Sequence, residues 1–538
     1  MKIAMKYFLM AALALLMTAC SNDDNELVQQ PAGQPAKAEG IPFTATISLD
    51  KSASTRVLAE DGVNKKLVAT WATGEKVALI YDAGGTPTKT EAEVTAQGDG
   101  TATISATLAS GATDGSNVTI IYPSTAADGT TGNVKATLLN TQEGTLDAVA
   151  ANYDVRKGTG KLSIGAGGAT VNNGTPGTTV SLTNQFAIWK LTLGSAAKNL
   201  CIMADNMTIA GATLATAGTQ FYVAVPAVSS KTITIVANDE SNNCWYYSKA
   251  GVSLTAAKYY QSSPSMTTLD TDNNKAVYKI AGTVSSNVTI PDGKTVVLSD
   301  VYMNEIKFIC SGNANIILMG DNYIDNSSYY NYYPAILIGG EGTTLTIQGS
   351  GKLTARGAIN TAGIGTRYAD HTNSNVTGGN IIINGGTVIA TGGENGAGIG
   401  TGCALGFTVA ASNTCGNITI NGGTVTAKGG EKGACIGTGC SNGQYIVSSQ
   451  RCGTITIGAG VTSVTVRKGN SSTNSIGKGE SVRGGTQTCG TITFGAAQVF
   501  DGSVWSPATM VNGSYGGLNL AITTTYKTDD TWTLTPAP

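Results

Sequence analysis

The chain has 538 residues, of which 13% are charged and 70 are Gly, and its formal net charge is −2. Charged residues stand at about half their usual share while apolar residues, at 41%, are near normal, which excludes highly charged, core-poor disorder. So small a net charge gives no electrostatic case for nucleic acid or for an acidic partner. The length suits about three domains of ~150 residues. The abundance of Gly, Thr, Val, Ile, Ser and Asn predicts an all-β chain of strands and tight turns.

At the N-terminus, Lys2 and Lys6 precede the apolar run "YFLMAALALLMTA", residues 7–19, which ends at Cys20. The run is shorter than the roughly 20 residues a bilayer requires and fits a signal-peptide core. One reading is an ordinary cleaved signal with an incidental Cys. The pair Thr18-Ala19 before Cys20 instead resembles a lipoprotein signal, with Met17 where Leu is usual. That resemblance implies removal of residues 1–19 and acylation of Cys20 (palmitate among the chains), which would anchor the protein firmly. The following "SNDDNE" is similar to the acidic tag of surface lipoproteins in the Bacteroides group. It implies a lipid-anchored, surface-exposed place on the outer membrane. Residues 20–40, rich in Pro, Gly, Gln and Ala, read as a flexible tether.

Two β-rich blocks follow, 41–155 and 156–270. "FTATISL", "VALIYD" and "NVTIIYP" in the first, and "FAIWKLTL" and "KTITIVAND" in the second, alternate apolar and polar residues as half-buried antiparallel strands do. Short strands at regular spacing suggest sandwiches. "FTATISLDKSASTRV", "ATWATGEKVALIYD", "FYVAVP" and "LTAAKYY" resemble the fimbrillin family, pilins and surface lipoproteins of Bacteroides-type bacteria. Trp71 and Gly74 match its W-x-x-G-D signature, with Glu75 in place of Asp. The resemblance implies two transthyretin-like β-sandwiches and assembly with other fimbrial subunits by strand exchange. It also implies protease processing after Arg56, although an Arg in a loop is also simply an exposed Arg. An exported chain favours disulfides over zinc or redox sites. Cys201 and Cys244 in the second block are candidate partners.

From about 275 to 500 the chain repeats itself. "NIII" at Asn380, "NITI" at Asn417, "TITI" at Thr454 and "TITF" at Thr491 recur every 37 residues. Weaker copies lie at 314–320 and 343–357. Fixed-period self-similarity marks a stacked architecture in which neighbouring units bury one another. Ile381, Ile418, Ile455 and Ile492 are expected to form one interior column, and Ile383, Ile420, Ile457 and Phe494 another. The predicted fold is a right-handed parallel β-helix, and "GGNIIINGGTVIATGG" is similar to repeats of bacterial adhesins and β-helical carbohydrate-binding proteins. Variable inserts at 366–379, 401–416, 438–453 and 478–490 should emerge along one edge. Cys403 with Cys415, and Cys440 with Cys452, share a 12-residue separation and are expected to staple their own inserts. Cys435 replaces the Gly of other units, as a small buried filler. Residues 501–538 would finish the stack or lend a strand to a partner.

The stretch "GAGIGTG" at 396–402 superficially resembles a dinucleotide fingerprint, but a further strand and turn follow where that motif needs a helix. It reads as a corner of the stack. Catalysis has little to work with: from 335 to 500 the only acids are Glu341, Asp370, Glu394, Glu431 and Glu480. Glu394 and Glu431, at the same corner of adjacent units, are the one pair with glycosidase-like spacing. Asp370 beside His371, the single His, sits in an insert. No enzyme activity, cofactor or metal is expected. "YIDNSSYYNYYP", 323–334, gathers five Tyr among Asn and Ser, a composition suited to sugar rings. Tyr329, Tyr330, Tyr332 and Tyr333, with Tyr368, Phe407 and Tyr445 in the inserts, are the candidate glycan contacts; the same Tyr would also serve to cap the stack. The expected function is adhesion, by a surface or fimbrial-tip protein binding a host or dietary glycan or a surface receptor. A structural spacer without glycan binding is the rival, and a polysaccharide-degrading enzyme the third reading.

Overall fold

The computed structural model describes residues 40–49, 59–61, 66–68, 71–98, 100–175, 179–328, 332–370, 374–406, 408–443, 446–467, 475–495, 498–500, 513–515, 517–524 and 531–536. Cys20, Arg56, Tyr329, Tyr330, His371, Phe407 and Tyr445 lie outside the described residues. Among the described residues the chain is all-β, with only short helical turns between strands. Among the described residues no helix is long and apolar enough to cross a membrane.

Eight strands form the first sheet. In Ile41–Leu49 the alternating Phe43, Ala45, Ile47 and Leu49 are buried while Thr44 and Thr46 face out, the period-two pattern of a half-buried strand. This strand pairs antiparallel with Thr101–Leu108 on one side and parallel with Val180–Asn184 on the other. Val180–Asn184 also pairs with Arg156–Gly165, and Ile41–Leu49 with Gly168–Asn172, so the sheet curls back on itself. The strands between 156 and 184 therefore complete the first sheet, where the sequence placed the start of a second block at 156. Alternation specifies a strand but not the sheet it joins. Gly158 and Gly160 make the closure possible: a Cβ on either would lie 2.5 Å from a carbonyl oxygen, of Ser181 or Asn172.

A buried ion pair sits at this seam. Arg156 and Asp154 are 0% and 1% exposed, with Nε 3.1 Å from Oδ1. Asn184 Nδ2 donates to the same carboxylate at 2.5 Å. Trp71 is buried edge-on to Tyr122, their ring centroids 5.0 Å apart.

The second sheet runs from Ala187 to Leu269 around Trp189, Leu191, Phe221, Val223, Ile233 and Ile235. Its other face carries Cys201, Met203, Val236 and Cys244, which pack against Val297, Ile317 and Met319 of the repeats. Asn238 Nδ2 donates to Ser299 Oγ at 2.9 Å within this contact. Cys201 lies opposite Val236, and Cys244 lies on the next strand opposite Asn238. Two strand spacings separate them, roughly 9.6 Å, beyond the ~7 Å that the α-carbons of a disulfide span. The two are not disulfide partners here.

The repeats pair as parallel strands, in register along their apolar columns with local shifts at a few turns. Ile381, Ile418, Ile455 and Ile492 align, as do Ile383, Ile420, Ile457 and Phe494. The second column extends upstream through Ile347, Ile316 and Val296 to Tyr278. Ile364, Ile399, Ile436 and Ile476 form a column in a separate sheet. All these residues belong to one continuous apolar core.

The inserts differ from expectation. They do not simply project from an edge: 375–377, 411–415, 448–452 and 486–489 form a four-stranded parallel sheet, and 404–405, 441–442 and 481–482 a three-stranded one. A buried polar ladder holds them. Thr366, Thr401 and Thr438 each accept a bond from a Gly N–H of the next unit, that of Gly402, Gly439 or Gly479, at 2.9 Å in every case. Their hydroxyls donate to Asn413, Gln450 and Gln487. The amide groups of Asn413 and Gln450 donate in turn to backbone carbonyls of Arg367 and Gly402, both at 2.8 Å. The buried Thr, Asn and Gln of this ladder bond one another and the backbone, which offsets the cost of taking polar inserts out of water.

At the far end, Thr531–Pro536 pairs antiparallel with Val461–Arg467, placing Leu534 opposite Val464. Trp532, Leu534, Leu518 and Leu520 are buried in the repeat core. The C-terminal segment thus caps the stack, which the sequence left undecided.

Two substitutions test the closures. In Gly400, φ is +136° and a Cβ would stand 1.9 Å from Gly437 O. Gly400→Ala is expected to cost about 3 kcal/mol or more in denaturant unfolding, the sum of backbone strain and overlap. Gly165→Ala, with nothing within 4 Å of its Cβ, should change stability by less than about 0.5 kcal/mol. Asp154→Ala removes the carboxylate that meets Arg156 Nε and Asn184 Nδ2 inside the sheet, and a loss of about 3 kcal/mol is expected in the same assay.

Candidate ligand-binding edge

The outward side chains of stacked parallel strands form rows, because register carries each position onto its counterpart one strand away. One such row begins with Tyr302, on Lys294–Asn304, and Tyr323, on Asp321–Asp325. Their rings stack with centroids 5.6 Å apart and planes 8° from parallel. Tyr302 is 49% exposed. Thr354, Ile389, Thr426 and Thr465 continue the row.

The neighbouring outward row reads Asn304, Asp325, Arg356, Thr391, Lys428 and Arg467. Arg356 places its guanidinium over the Tyr323 ring, 5.7 Å from the centroid, and its Nη1 3.5 Å from Asp325 Oδ2. Tyr323 Oη donates to Asp325 at 2.6 Å. Partial burial disfavours charge on Asp325, yet the bonds from Ser327 and Tyr323 and the nearby Arg356 hold its carboxyl below its ordinary range. The same bond to Asp325, with burial, raises the Tyr323 hydroxyl. Both groups are therefore locked as a carboxylate and a neutral phenol. Lys428 and Arg467 lie directly opposite each other in register.

A second pair of rings comes from the stretch after Asp321–Asp325 and from the insert that begins at Thr366. Tyr332, 49% exposed, stacks on Tyr368 at 6.1 Å and 26°. Lys307 Nζ lies over the Tyr333 ring at 4.2 Å, within cation–π range. Burial and the nearby Asp370 raise the Tyr368 hydroxyl well above its ordinary value. A cleft of about 540 Å³ opens beside Arg356, lined also by Ser327, Ile359, Thr391, Glu394 and Lys428. Aromatic faces, two cations, hydroxyls and a carboxylate thus share one edge of the stack. This combination packs against the CH faces of a sugar while bonding its hydroxyls.

Of the Tyr singled out in the sequence, Tyr332 and Tyr368 come together here, and Tyr333 is half-buried under Lys307. Sequence reasoning missed Tyr302, Tyr323, Lys307 and Arg356 as site residues. The signal was available: Tyr302 and Tyr323 are 21 residues apart, close to the 20 that separate Val296 from Ile316 in the upstream units. Glu394 and Glu431 are both exposed at successive turns. Among the described residues, no group of three or more His, Cys, Asp or Glu is placed to hold a metal ion.

The cysteines pair by contact in a way the expectation did not foresee. No disulfide joins any two of the nine described. The Cys403 thiol contacts that of Cys440, and the Cys452 thiol contacts those of Cys415 and Cys489. These contacts run between repeats, whereas the 12-residue spacing suggested staples within one insert. Cys435 is fully buried.

No family model matches the chain, and no curated protein matches it. Among solved structures it is similar to a fimbrial protein from Bacteroides ovatus, with 12% identity and a TM-score of 0.24 over 42% of this chain. That match spans about half of the fimbrial protein, 48% of its length. The tip fimbrial protein Mfa3 from Porphyromonas gingivalis is similar over 39% of this chain and 81% of its own, with 12% identity and a TM-score of 0.20. Overlaps this slight leave the edge to be judged on its own geometry.

Proposed function

We propose that this protein is a cell-surface adhesin that binds glycan along the tyrosine edge of its repeats. The observation that carries the reading is the pair of stacked, half-exposed rings, Tyr302 on Tyr323 and Tyr332 on Tyr368, beside a polar cleft. Large apolar rings left half in water are unfavourable to a free protein and favourable to one that meets a ligand. In this reading the repeats are a right-handed parallel β-helix, supported by the unbroken in-register parallel pairing from Tyr278 to Phe494. The two preceding β-domains lift it from the membrane. The anchor is Cys20 on the outer membrane, supported by the apolar run and acidic tag around it. Cleavage after Arg56 and strand exchange with fimbrial subunits belong to the same proposal and rest on the fimbrillin-like motifs. No catalytic role is assigned to Glu394, the carboxylate that lines the cleft.

The test is a glycan and polysaccharide binding screen of the full chain beside Tyr302→Ala, Tyr323→Ala and Tyr332→Ala, with each variant's melting curve confirming its fold. Saturable binding is expected, weakened about tenfold by each change, or about 1.4 kcal/mol. Binding that all three variants retain would move the site elsewhere. Absence of binding across a broad panel would leave a spacer, and release of reducing ends or unsaturated sugars would make the protein an enzyme.

A further inference from the structure

The repeat aligns cysteines as strictly as it aligns isoleucines. Cys403 and Cys440 close the same T-G-C element of adjacent units, and their N–H groups donate to Asn360 O and Asn395 O, both at 2.7 Å. Ala404 N donates to Cys440 O at 2.9 Å, so the two backbones run side by side at this point. Cys415, Cys452 and Cys489 lie directly opposite one another on three successive parallel strands. In-register neighbours stand about 4.8 Å apart, inside the ~4.4–6.8 Å that disulfide α-carbons occupy. The thiols within each column are already in contact.

The columns differ in access. Cys403, Cys415, Cys440 and Cys452 are buried, while Cys489 is half-exposed at the end of its column. Burial disfavours the thiolate at Cys403, whereas the bond from Cys452 and the nearby Lys478 favour it at Cys489. One end of the three-thiol column is thus open to a reagent and the other is sealed.

We propose that these columns are an oxidative clasp between repeats: one disulfide joins Cys403 to Cys440, and Cys452 bonds to Cys489 or to Cys415, one at a time. The oxidant is a small or protein-borne disulfide of the exported compartment. The Cys489 thiolate attacks it, forming a mixed disulfide and releasing one thiolate. The Cys452 thiolate then attacks Cys489 Sγ and expels the second. Two protein thiols lose two electrons and two protons, and one disulfide of the oxidant becomes two thiols. Attack by the Cys415 thiolate on Cys452 Sγ moves the bond inward and frees Cys489, with no net oxidation. An odd number of thiols in the column keeps one always available for this exchange.

The experiment refolds the reduced full chain with reduced and oxidised glutathione, so that Cys403 and Cys440 meet the oxidant before they are buried, alkylates the remaining thiols in denaturant, and maps linked peptides by mass spectrometry. Peptides joining 403 to 440 and both 415 to 452 and 452 to 489 are expected, with four fewer alkylated cysteines than in the reduced protein. Cys489→Ser should leave only the 415–452 link in the second column, Cys415→Ser only 452–489, and Cys452→Ser neither, all three retaining 403–440. Links from 403 to 415 or from 440 to 452 would overturn the proposal. So would full alkylation after oxidation in a chain still folded by circular dichroism. A 415–452 link with no trace of 452–489 would overturn the exchange.

Discussion

Everything from Tyr278 onward depends on one constraint, that each parallel strand lies in register with its neighbour at the distance of a backbone hydrogen bond. Where the stack turns, that distance leaves no room for a side chain. A Cβ at Gly365 would lie 1.8 Å from Gly400 O, and one at Gly437 2.0 Å from Gly477 O. The backbone there also takes φ of +144° and +133°, which side chains rarely adopt. The "GIG" elements are thus places where one turn of chain rests directly on the next. A nucleotide-binding loop uses Gly to admit a phosphate; here the space is filled by the protein's own carbonyls.

Register has a second effect, since it converts every position into a column whose members must tolerate one another. Isoleucine and valine columns do so by packing. Asn columns do so by hydrogen bonding: Asn380 Oδ1 accepts from Asn417 N, and Asn417 Oδ1 from Thr454 N, both at 2.8 Å. The Thr–Asn/Gln ladder achieves the same inside the stack. Charges do not, because like charges directly opposite repel. The scarcity of charged residues, read at first only as a departure from average composition, follows from the architecture.

The interior columns were legible in the sequence because period and chemistry coincide there. Ile381, Ile418 and Ile455 repeat both their spacing and their type. The inserts were not legible as strands, since "TCG" and "RCG" carry no apolar alternation and their folding depends on partners such as Gln450 and Thr401, 49 residues apart. The edge of the first sheet at Arg156–Gly165 was misplaced for a related reason: its pairing with Val180–Asn184 is set by distant closure and not by local pattern. At the candidate site, the Tyr-rich stretch was visible as composition. The partnership of Tyr302 with Tyr323, and of Arg356 with both Tyr323 and Asp325, required the register itself.

The same reasoning singles out one row as costly to the fold. Opposite charges meet across strands at Asp321 with Lys352, and at Asp325 with Arg356 near the start of the row through the cleft. Further along that row, Lys428 stands directly opposite Arg467, one strand beyond Thr391. Two like charges at strand spacing repel one another. Natural sequences break a local rule of this kind mostly where function compensates for it. Lys428 lines the cleft together with Arg356, whose guanidinium also lies over Tyr323, so one row joins the electrostatics of the cleft to the aromatic geometry.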